Sequence, residues 1–552
     1  MGFTSVRVSA REAASIDNKE VAVMAAKTET PVGDARPYEA PAISGLFDLL
    51  IRHAQDRPNA RALVAGSDRI PISYGELAAL VDHVANRLES SGLRRGDAVG
   101  LVGANNADFV VGLLGAARAG LVVAPLDPVL PRSEMTSRLE RLGAQTLLVG
   151  RPALGAEPVA PLGIQTWNLE VEVAADTTPA VTLDTKSGAL RRPEPKPGLS
   201  ERDALVLFTS GTSAQAKMVP LTHENVAASV RSICVSYELG PDDATVAVMP
   251  MFHGHGLIAA LLATLASGGC VLLPERGRFS ARTFWDDMRA ATATWFTAVP
   301  TIHQILLQRS AGEFPGSNAV PLRFVRSCSA PLSTATARAI ERTLGVPVLS
   351  AYGMTETTHQ ATSQPLPLRG PVKKGSVGRA TGVHIRIVDP GGRTCSAGTE
   401  GEVWVLGPTV ARGYLGNTAE TAHNFVAGWF RTGDLGAIDQ DGYLFLTGRI
   451  KNIINRGGEK ISPEHVEDVL AGCRGITEAA VFAIPDATYG ERVGAAVVVS
   501  QDERFGSEQI LQECRGKLSG FEMPERLEVV AALPHTAKGA LDRRAVKDQY
   551  AR

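Results

Sequence analysis

The chain has 552 residues, 44% of them hydrophobic and 21% charged, with a formal net charge of −2. That length exceeds what one core supports, so at least two domains are expected. The near-neutral charge excludes a nucleic-acid or anionic-membrane partner recruited by bulk electrostatics. Six cysteines (Cys234, Cys270, Cys328, Cys395, Cys473, Cys514) lie scattered without metal-ligand spacing and read as reduced thiols of a cytoplasmic protein.

Residues 1–40 mix charges, Thr and Pro without sustained periodicity and read as a disordered extension with no secretory core. The last three residues, Tyr-Ala-Arg, are not a peroxisomal address. Behind Ser44 the apolar residues take helical spacing, and a second helix is predicted over Tyr74–Ser91. A buried strand is predicted from Ala98, a helix over Asn106–Ala119 and a strand over Leu121–Leu126. This alternation implies βαβ units on a largely parallel sheet. Residues 151–202, rich in Pro, Thr and Gly, read as an irregular excursion, and the apolar run Gly256–Leu273 as a buried helix leading into a strand. Alternation resumes over Thr245–Tyr352. Residues 376–447 turn β-rich, suggesting a small barrel-like subdomain, and a seam falls at Gly448–Lys451. The expected organisation is a large N-terminal domain of parallel α/β sheets with that subdomain (41–449) and a small mobile α+β C-terminal domain (450–552).

The most informative stretch joins the apolar run Ala204–Phe208 to Thr209-Ser-Gly-Thr-Ser213 and then Lys217. A strand ending in small hydroxylated residues lets backbone N–H groups and the hydroxyls of Thr209, Ser210, Thr212 and Ser213 surround a phosphate, with Gly211 for close approach and Lys217 for charge. The spacing is not the Walker pattern, and alone such a cluster is more often an ordinary turn. Further segments carry candidate chemistry. Pro250-Met-Phe-His-Gly-His-Gly256 puts two histidines at a strand-to-helix transition, either as a turn or as a gate or anion ligand. Ser327-Cys-Ser-Ala-Pro-Leu332 leaves room for a flat ring at a strand end. In Leu349-Ser-Ala-Tyr-Gly-Met-Thr-Glu356, Tyr352 suits stacking on a base, Thr355 a phosphate oxygen and Glu356 Mg²⁺. Asp434 follows a glycine and suits ribose hydroxyls, and a basic strand with Gly457-Gly458 lies downstream.

In this order the motifs resemble the AMP-forming acyl-CoA synthetases, the adenylating superfamily that includes luciferases and peptide-synthetase adenylation domains, over nearly the whole chain from residue 43. Met251–Leu257, Gly277–Ala281, Thr294–His303, Arg323–Ala330 and Met354–His359 look closest to oxalate–CoA ligases. The resemblance implies two half-reactions, with ATP, Mg²⁺ and coenzyme A as cofactors, a small carboxylic acid as substrate, and a monomer or homodimer. It implies that Ser210–Lys217 is the phosphate loop, that Tyr352 and Ser329-Ala330-Pro331 line the adenine slot, and that Thr355 and Glu356 manage phosphate and metal. Asp434 with Arg449 would hold the ribose, Lys451 would be the hinge, and Gly457 and Gly458 would border the pantetheine tunnel. Oxalate has no apolar tail, so its second carboxylate needs polar groups, and His253, Ser329 and His359 are available.

Two departures from the family pattern stand out. The phosphate loop carries Ala214, Gln215, Ala216 and Met218 in place of residues typically Gly or Ser, variable, Pro and Gly. Near the C-terminus the usual Thr-Ala-x-Gly-Lys reads Thr536-Ala-Lys-Gly-Ala540, so Ala540 occupies the position of the lysine that bridges carboxylate and α-phosphate. Three explanations stand open: a deliberate substitution, a natural chain using Lys538 instead, or a chain that has lost adenylation and only binds nucleotide. A further alternative keeps adenylation but passes another small acid, or nitrite, to an amine.

Overall fold

A computed structural model describes residues 48–156, 163–185, 198–209, 216–500, 506–536 and 539–551. The extension over residues 1–40, the Ser44 cap, the phosphate-loop residues Ser210, Gly211, Thr212 and Ser213, and Lys538 lie outside the described residues.

The helix Tyr74–Ser90 starts where Ser73 accepts from the Glu76 N–H and Glu76 answers on the Ser73 N–H, a reciprocal cap satisfying two helix-end donors. Asn106 caps Ala107–Arg118, whose side chains are buried almost all round because it packs between the sheet and Tyr74–Ser90. Behind these helices lies a seven-stranded sheet. Its order is Ala180–Asp184, Thr166–Glu172, Thr146–Val149, Ala98–Val102, Val122–Leu126, Asp203–Thr209, Lys217–Thr222. Its interior pairs are parallel and only the outermost strands turn antiparallel. The first two strands in that order correct the reading of 151–202 as irregular. In Thr166–Glu172, Trp167, Leu169 and Val171 are buried while Asn168, Glu170 and Glu172 face solvent, the period-two pattern of a strand with one face in water.

A second parallel set, Trp295–Ala298, Phe324–Ser327 and Val348–Tyr352, continues into the short antiparallel strands Thr362–Ser363 and Arg379–Ala380. The predicted buried helix before Cys270–Leu272 is a π-helix, His255–Leu262, running on into Ala263–Ala266. At its start Gly256 is required by space: a Cβ would lie 2.4 Å from the Met249 and Pro250 carbonyl oxygens. The β-rich segment forms a five-stranded antiparallel sheet running from His384–Val388 to Leu444–Arg449. The last sheet orders Glu459–Ile461, Ile454–Arg456, Gly490–Val499 and Ile476–Asp486, with Arg526–Val530 pairing Gly490–Val499. It has its own core around Val466, Leu470, Val481, Val493 and Ile510. The fold is α/β with α+β, and among the described residues no helix is long and apolar enough to cross a membrane.

Candidate active site

The two ends of the predicted phosphate loop are clamped together. Thr209 closes the strand Asp203–Thr209 and sits directly opposite Lys217, which opens the antiparallel strand Lys217–Thr222. Lys217 Nζ pairs with Glu420 and lies 4.7 Å from the centroid of the Tyr414 ring. Tyr414 Oη donates to Glu356 Oε1 at 2.9 Å. The hydrogen bond to Lys217 holds the Glu420 carboxyl below its ordinary range. Tyr414 thus lies between Lys217, predicted to meet phosphate, and Glu356, predicted to hold metal.

Glu356 sits on the 3₁₀ turn Thr355–Thr357 and is 9% exposed. Among the described residues no group of three or more His, Cys, Asp or Glu side chains converges as a metal cage. A single carboxylate linked through Tyr414 to Lys217 fits Mg²⁺, which keeps waters and binds through one or two carboxylates and substrate phosphates. Glu356 would hold the ion, which would neutralise phosphate charge there.

At the end of Val348–Tyr352, the Tyr352 hydroxyl donates to Asp434 Oδ2 at 2.6 Å. Arg449 Nε meets Asp434 Oδ1 at 2.6 Å, the two residues facing each other across paired strands. Burial raises the Asp434 carboxyl against the opposing pull of Arg449 and Tyr352, and burial with Asp434 nearby pushes the Tyr352 phenol well up. Ser329-Ala330-Pro331 follows the parallel strand Phe324–Ser327, with Ser329 at φ 72°. Lys451 falls in the 3₁₀ turn Ile450–Asn452; burial, then Arg449, push its ammonium down, with Lys217 adding and Asp434 and Glu356 opposing. Gly457 and Gly458 form a two-residue hairpin between Ile454–Arg456 and Glu459–Ile461 at φ 61° and φ 100°. That turn by itself demands glycine, a local reason the sequence reading did not give.

His255, on the same segment as His253, joins Ser329 and His359 in the predicted acid pocket. His255 Nδ1 is 3.0 Å from Ser329 Oγ, and its Nε2 is 2.6 Å from Thr297 Oγ1. Its ring stacks on His359 with centroids 5.2 Å apart. Burial first, then the neighbouring His359 and Arg326, hold His255 well below the usual histidine range, and burial with Arg326 does the same to His359. Burial thus favours the neutral form of both imidazoles. His253, half-buried, packs its ring 4.3 Å from Phe252 and adds to the positive surroundings of His255. Three residues here hold left-handed backbone without being glycine: Ser329, Thr358 (φ 49°) and His359 (φ 80°). Such conformations persist at sites where surrounding contacts over-determine them. Thr358 is so held, accepting from Ser229 Oγ through its carbonyl and donating to the Thr409 carbonyl. Sequence reasoning missed His255, Thr297, Tyr414 and Glu420. His255 and Thr297 lay within motifs already quoted; Tyr414 and Glu420 had no signal of their own.

Ala540 lies on a loop docked against the large domain. Thr536 N–H donates to the Ala540 carbonyl at 2.8 Å, and Thr301 Oγ1 donates to the Gly539 carbonyl at 2.8 Å. A Cβ on Gly539 would stand 3.2 Å from Thr301 Oγ1 and 3.3 Å from Val299 Cγ2. Those residues directly follow Trp295–Ala298, the strand carrying Thr297, so position 540 approaches the end of the strand that supports the acid pocket.

A parallel α/β scaffold in which Lys217 is joined through Tyr414 to Glu356, and Tyr352 through Asp434 to Arg449, has the fold of a nucleotide-dependent acid-activating ligase. The chain matches the AMP-binding enzyme family over residues 50–415 and the AMP-binding enzyme C-terminal domain over 465–540, and it belongs to that family. It is 39% identical to an oxalate–CoA ligase of Arabidopsis thaliana over 515 residues, 92% of this chain and 98% of that one. It is 32% identical to a sulfoacetate–CoA ligase of Cupriavidus necator, covering 94% of this chain and 99% of the relative. The fold superposes on ATP-bound MatB from Rhodopseudomonas palustris with a TM-score of 0.79 at 29% identity, over 92% of this chain and 99% of that one. The protein is an AMP-forming acid–CoA ligase, activating an acid with ATP and passing it to coenzyme A.

Proposed function

We propose that the acid is oxalate. The observation that carries this reading is the buried pair of neutral imidazoles, His255 and His359, stacked 5.2 Å apart beside Ser329. A fatty acyl chain would need apolar walls at these positions, whereas a short acid with a second charged group needs donors. The likeness to an oxalate–CoA ligase over most of both chains supports the same choice. One oxalate carboxylate oxygen attacks the α-phosphorus of ATP, the bond to the β-phosphate oxygen breaks and pyrophosphate leaves. The coenzyme A thiol, losing its proton, then attacks the oxalyl carbonyl and AMP departs. Within this reading Tyr352, Asp434 and Arg449 hold the nucleoside, Lys217, Thr355 and Glu356 the phosphates and Mg²⁺, and Lys451 is the hinge between a domain over 41–449 and a lid over 450–552.

Ala540 impairs the first step, because an alanine there cannot meet the charge that develops between carboxylate and α-phosphate. Losing such a contact costs about 3 kcal/mol, or roughly 100-fold in rate. The test is oxalate-dependent pyrophosphate–ATP exchange by this chain beside Ala540→Lys. Faster exchange in the lysine variant supports both statements. Equal exchange assigns the role elsewhere, and none in either discards oxalate.

A further inference from the structure

Arg326, on the strand Phe324–Ser327, is completely buried. Its Nε donates to Tyr237 Oη at 2.8 Å and its Nη1 to Thr297 Oγ1 at 3.0 Å. Its Nη2 donates to His359 Nε2 and Gln360 Oε1, both at 3.0 Å. None of these four is a carboxylate, the buried Cys328 side chain also lies against the guanidinium, and among the described residues no carboxylate forms an ion pair with it. Arg323, three positions earlier on the same segment, shows the usual arrangement, meeting Asp243 at 2.7 Å. A guanidinium stays charged at any working pH, and a buried charge without a counter-ion is costly. Its placement therefore asks for a reason beyond bracing the core.

Two consequences reach the acid pocket. A guanidinium only donates, so His359 Nε2 must accept; the ring is neutral and its proton sits on Nδ1. Among the described residues that Nδ1 has no hydrogen-bond partner, which leaves a fixed donor. The second route runs from Arg326 through Thr297 Oγ1 and His255 to Ser329 Oγ, in steps of 3.0, 2.6 and 3.0 Å. Both routes join this guanidinium to side chains of the proposed acid pocket.

We propose that Arg326 is the positioning residue that sets acid specificity: it locks His359 as an Nδ1–H donor, and its uncompensated charge makes the pocket select an acid bearing a second anionic group over a monocarboxylic acid. The proposal rests on the reading of this pocket as the acid site, and it does not require the second group to be a carboxylate.

The test reads binding, so that Ala540 does not limit it. Oxalate, sulfoacetate and acetate are titrated calorimetrically, with a non-hydrolysable ATP analogue present, into the natural chain, Arg326→Met and Arg326→Lys, between pH 5.5 and 8.5. The natural chain should prefer dianions and hold an affinity that is flat with pH, because His359 stays neutral. Arg326→Met should lose dianion affinity by at least about 10-fold while acetate moves little. Its dianion affinity should recover as pH falls, since His359 Nε2, released from the guanidinium, becomes free to take a proton. Arg326, His255, His253 and His303 are the groups that bear on this imidazole pair. Arg326→Lys, which keeps the charge but not the fork, should fall between. If the methionine variant does not fold, the lysine variant carries the comparison: loss confined to dianions supports the proposal. Equal losses for acetate and dianions, or a methionine variant with no pH recovery, overturn it. Preference for sulfoacetate with no oxalate binding would discard oxalate as substrate and leave the role of Arg326 intact. No preference between dianions and acetate in the natural chain overturns both.

Discussion

Asp434 carries the sharpest prediction at the scale of single residues. At 3% exposure it receives the Tyr352 hydroxyl on one oxygen and Arg449 on the other, so its charge is both buried and doubly engaged. A ribose diol donates where Tyr352 now does, without changing the count of charge-assisted bonds. Asp434→Asn keeps the shape but removes the charge, and each such bond contributes about 1.5–3 kcal/mol. AMP affinity measured by calorimetry should fall by roughly 10- to 100-fold, with Arg449 left without its carboxylate. An unchanged affinity would remove Asp434 from the nucleotide site. Glu420 invites a milder test. It neutralises Lys217 where incoming phosphates would otherwise do so, so Glu420→Gln should lower the KM for ATP by roughly 3-fold, the worth of a weak, half-exposed ion pair. A raised KM would make Glu420 an aid to binding rather than a competitor.

Among the elements, the turn after Val348–Tyr352 is the one most tightly specified by space. A Cβ on Gly353 would lie 1.8 Å from the His359 carbonyl oxygen, so the glycine is what lets the Tyr352 strand end and the His359 loop pass each other. Gly353→Ala must push the loop bearing Glu356 and His359 outward. Overpacking of this kind costs about 1–3 kcal/mol, and the exchange reaction should be lost while circular dichroism stays native-like; retained exchange would show that the loop position does not matter. This requirement explains why the motif was readable: a strand ending in aromatic, glycine, hydroxyl and carboxylate is forced into one geometry by short-range contacts. The alternation from Tyr74 to Leu126 was legible for the same reason, each element carrying its own cap or apolar run. The strands Thr166–Glu172 and Ala180–Asp184 were not, because flanking prolines and threonines masked a period-two pattern only seven and five residues long. The buried helix before Cys270–Leu272 was foreseen, but its π form over His255–Leu262 was hidden because an apolar run has no phase to read. Arg326 was invisible for a deeper reason. An arginine in an apolar strand ordinarily reaches solvent, and here Tyr237, His359 and Gln360, 89, 33 and 34 positions away, enclose it.

The behaviour of the whole molecule follows from charge buried across the large domain and from two contacts at its edge. His303 is fully buried with its pKa lowered to about 4, and burial holds His255 and His359 well down too. Unfolded, each takes a proton near pH 6.5, so the unfolded chain binds more protons and stability is fully present above that pH. It is lost as pH falls from 6.5 towards 4; at pH 5 His303 alone accounts for 1.5 units at ~1.36 kcal/mol each, about 2 kcal/mol. Urea midpoints should therefore drop between pH 7.5 and 5, and His303→Phe should flatten part of that slope. The second is the proposed hinge. Beyond Arg449, Ser462 Oγ donates to the Thr447 carbonyl and Asn452 Nδ2 to Glu464, binding the turn that contains Lys451 to the helix Pro463–Ala471. The far side of the C-terminal sheet reaches the helix Pro300–Glu313 through Thr301 to the Gly539 carbonyl and Gln304 to the Thr477 carbonyl, each 2.8 Å. A swing about Lys451 that carries position 540 away must break these two bonds. Removing both in Thr301→Val with Gln304→Ala takes away about 2 kcal/mol, roughly a 30-fold shift toward the undocked arrangement. Fluorophores on the two domains should report a longer mean distance, and trypsin should cut sooner at Lys451. The acid-activating half-reaction should slow, while transfer from a supplied acyl-adenylate to coenzyme A holds or quickens. Equal slowing of both half-reactions would mean that the Thr301 and Gln304 contacts support the fold and do not set the domain equilibrium.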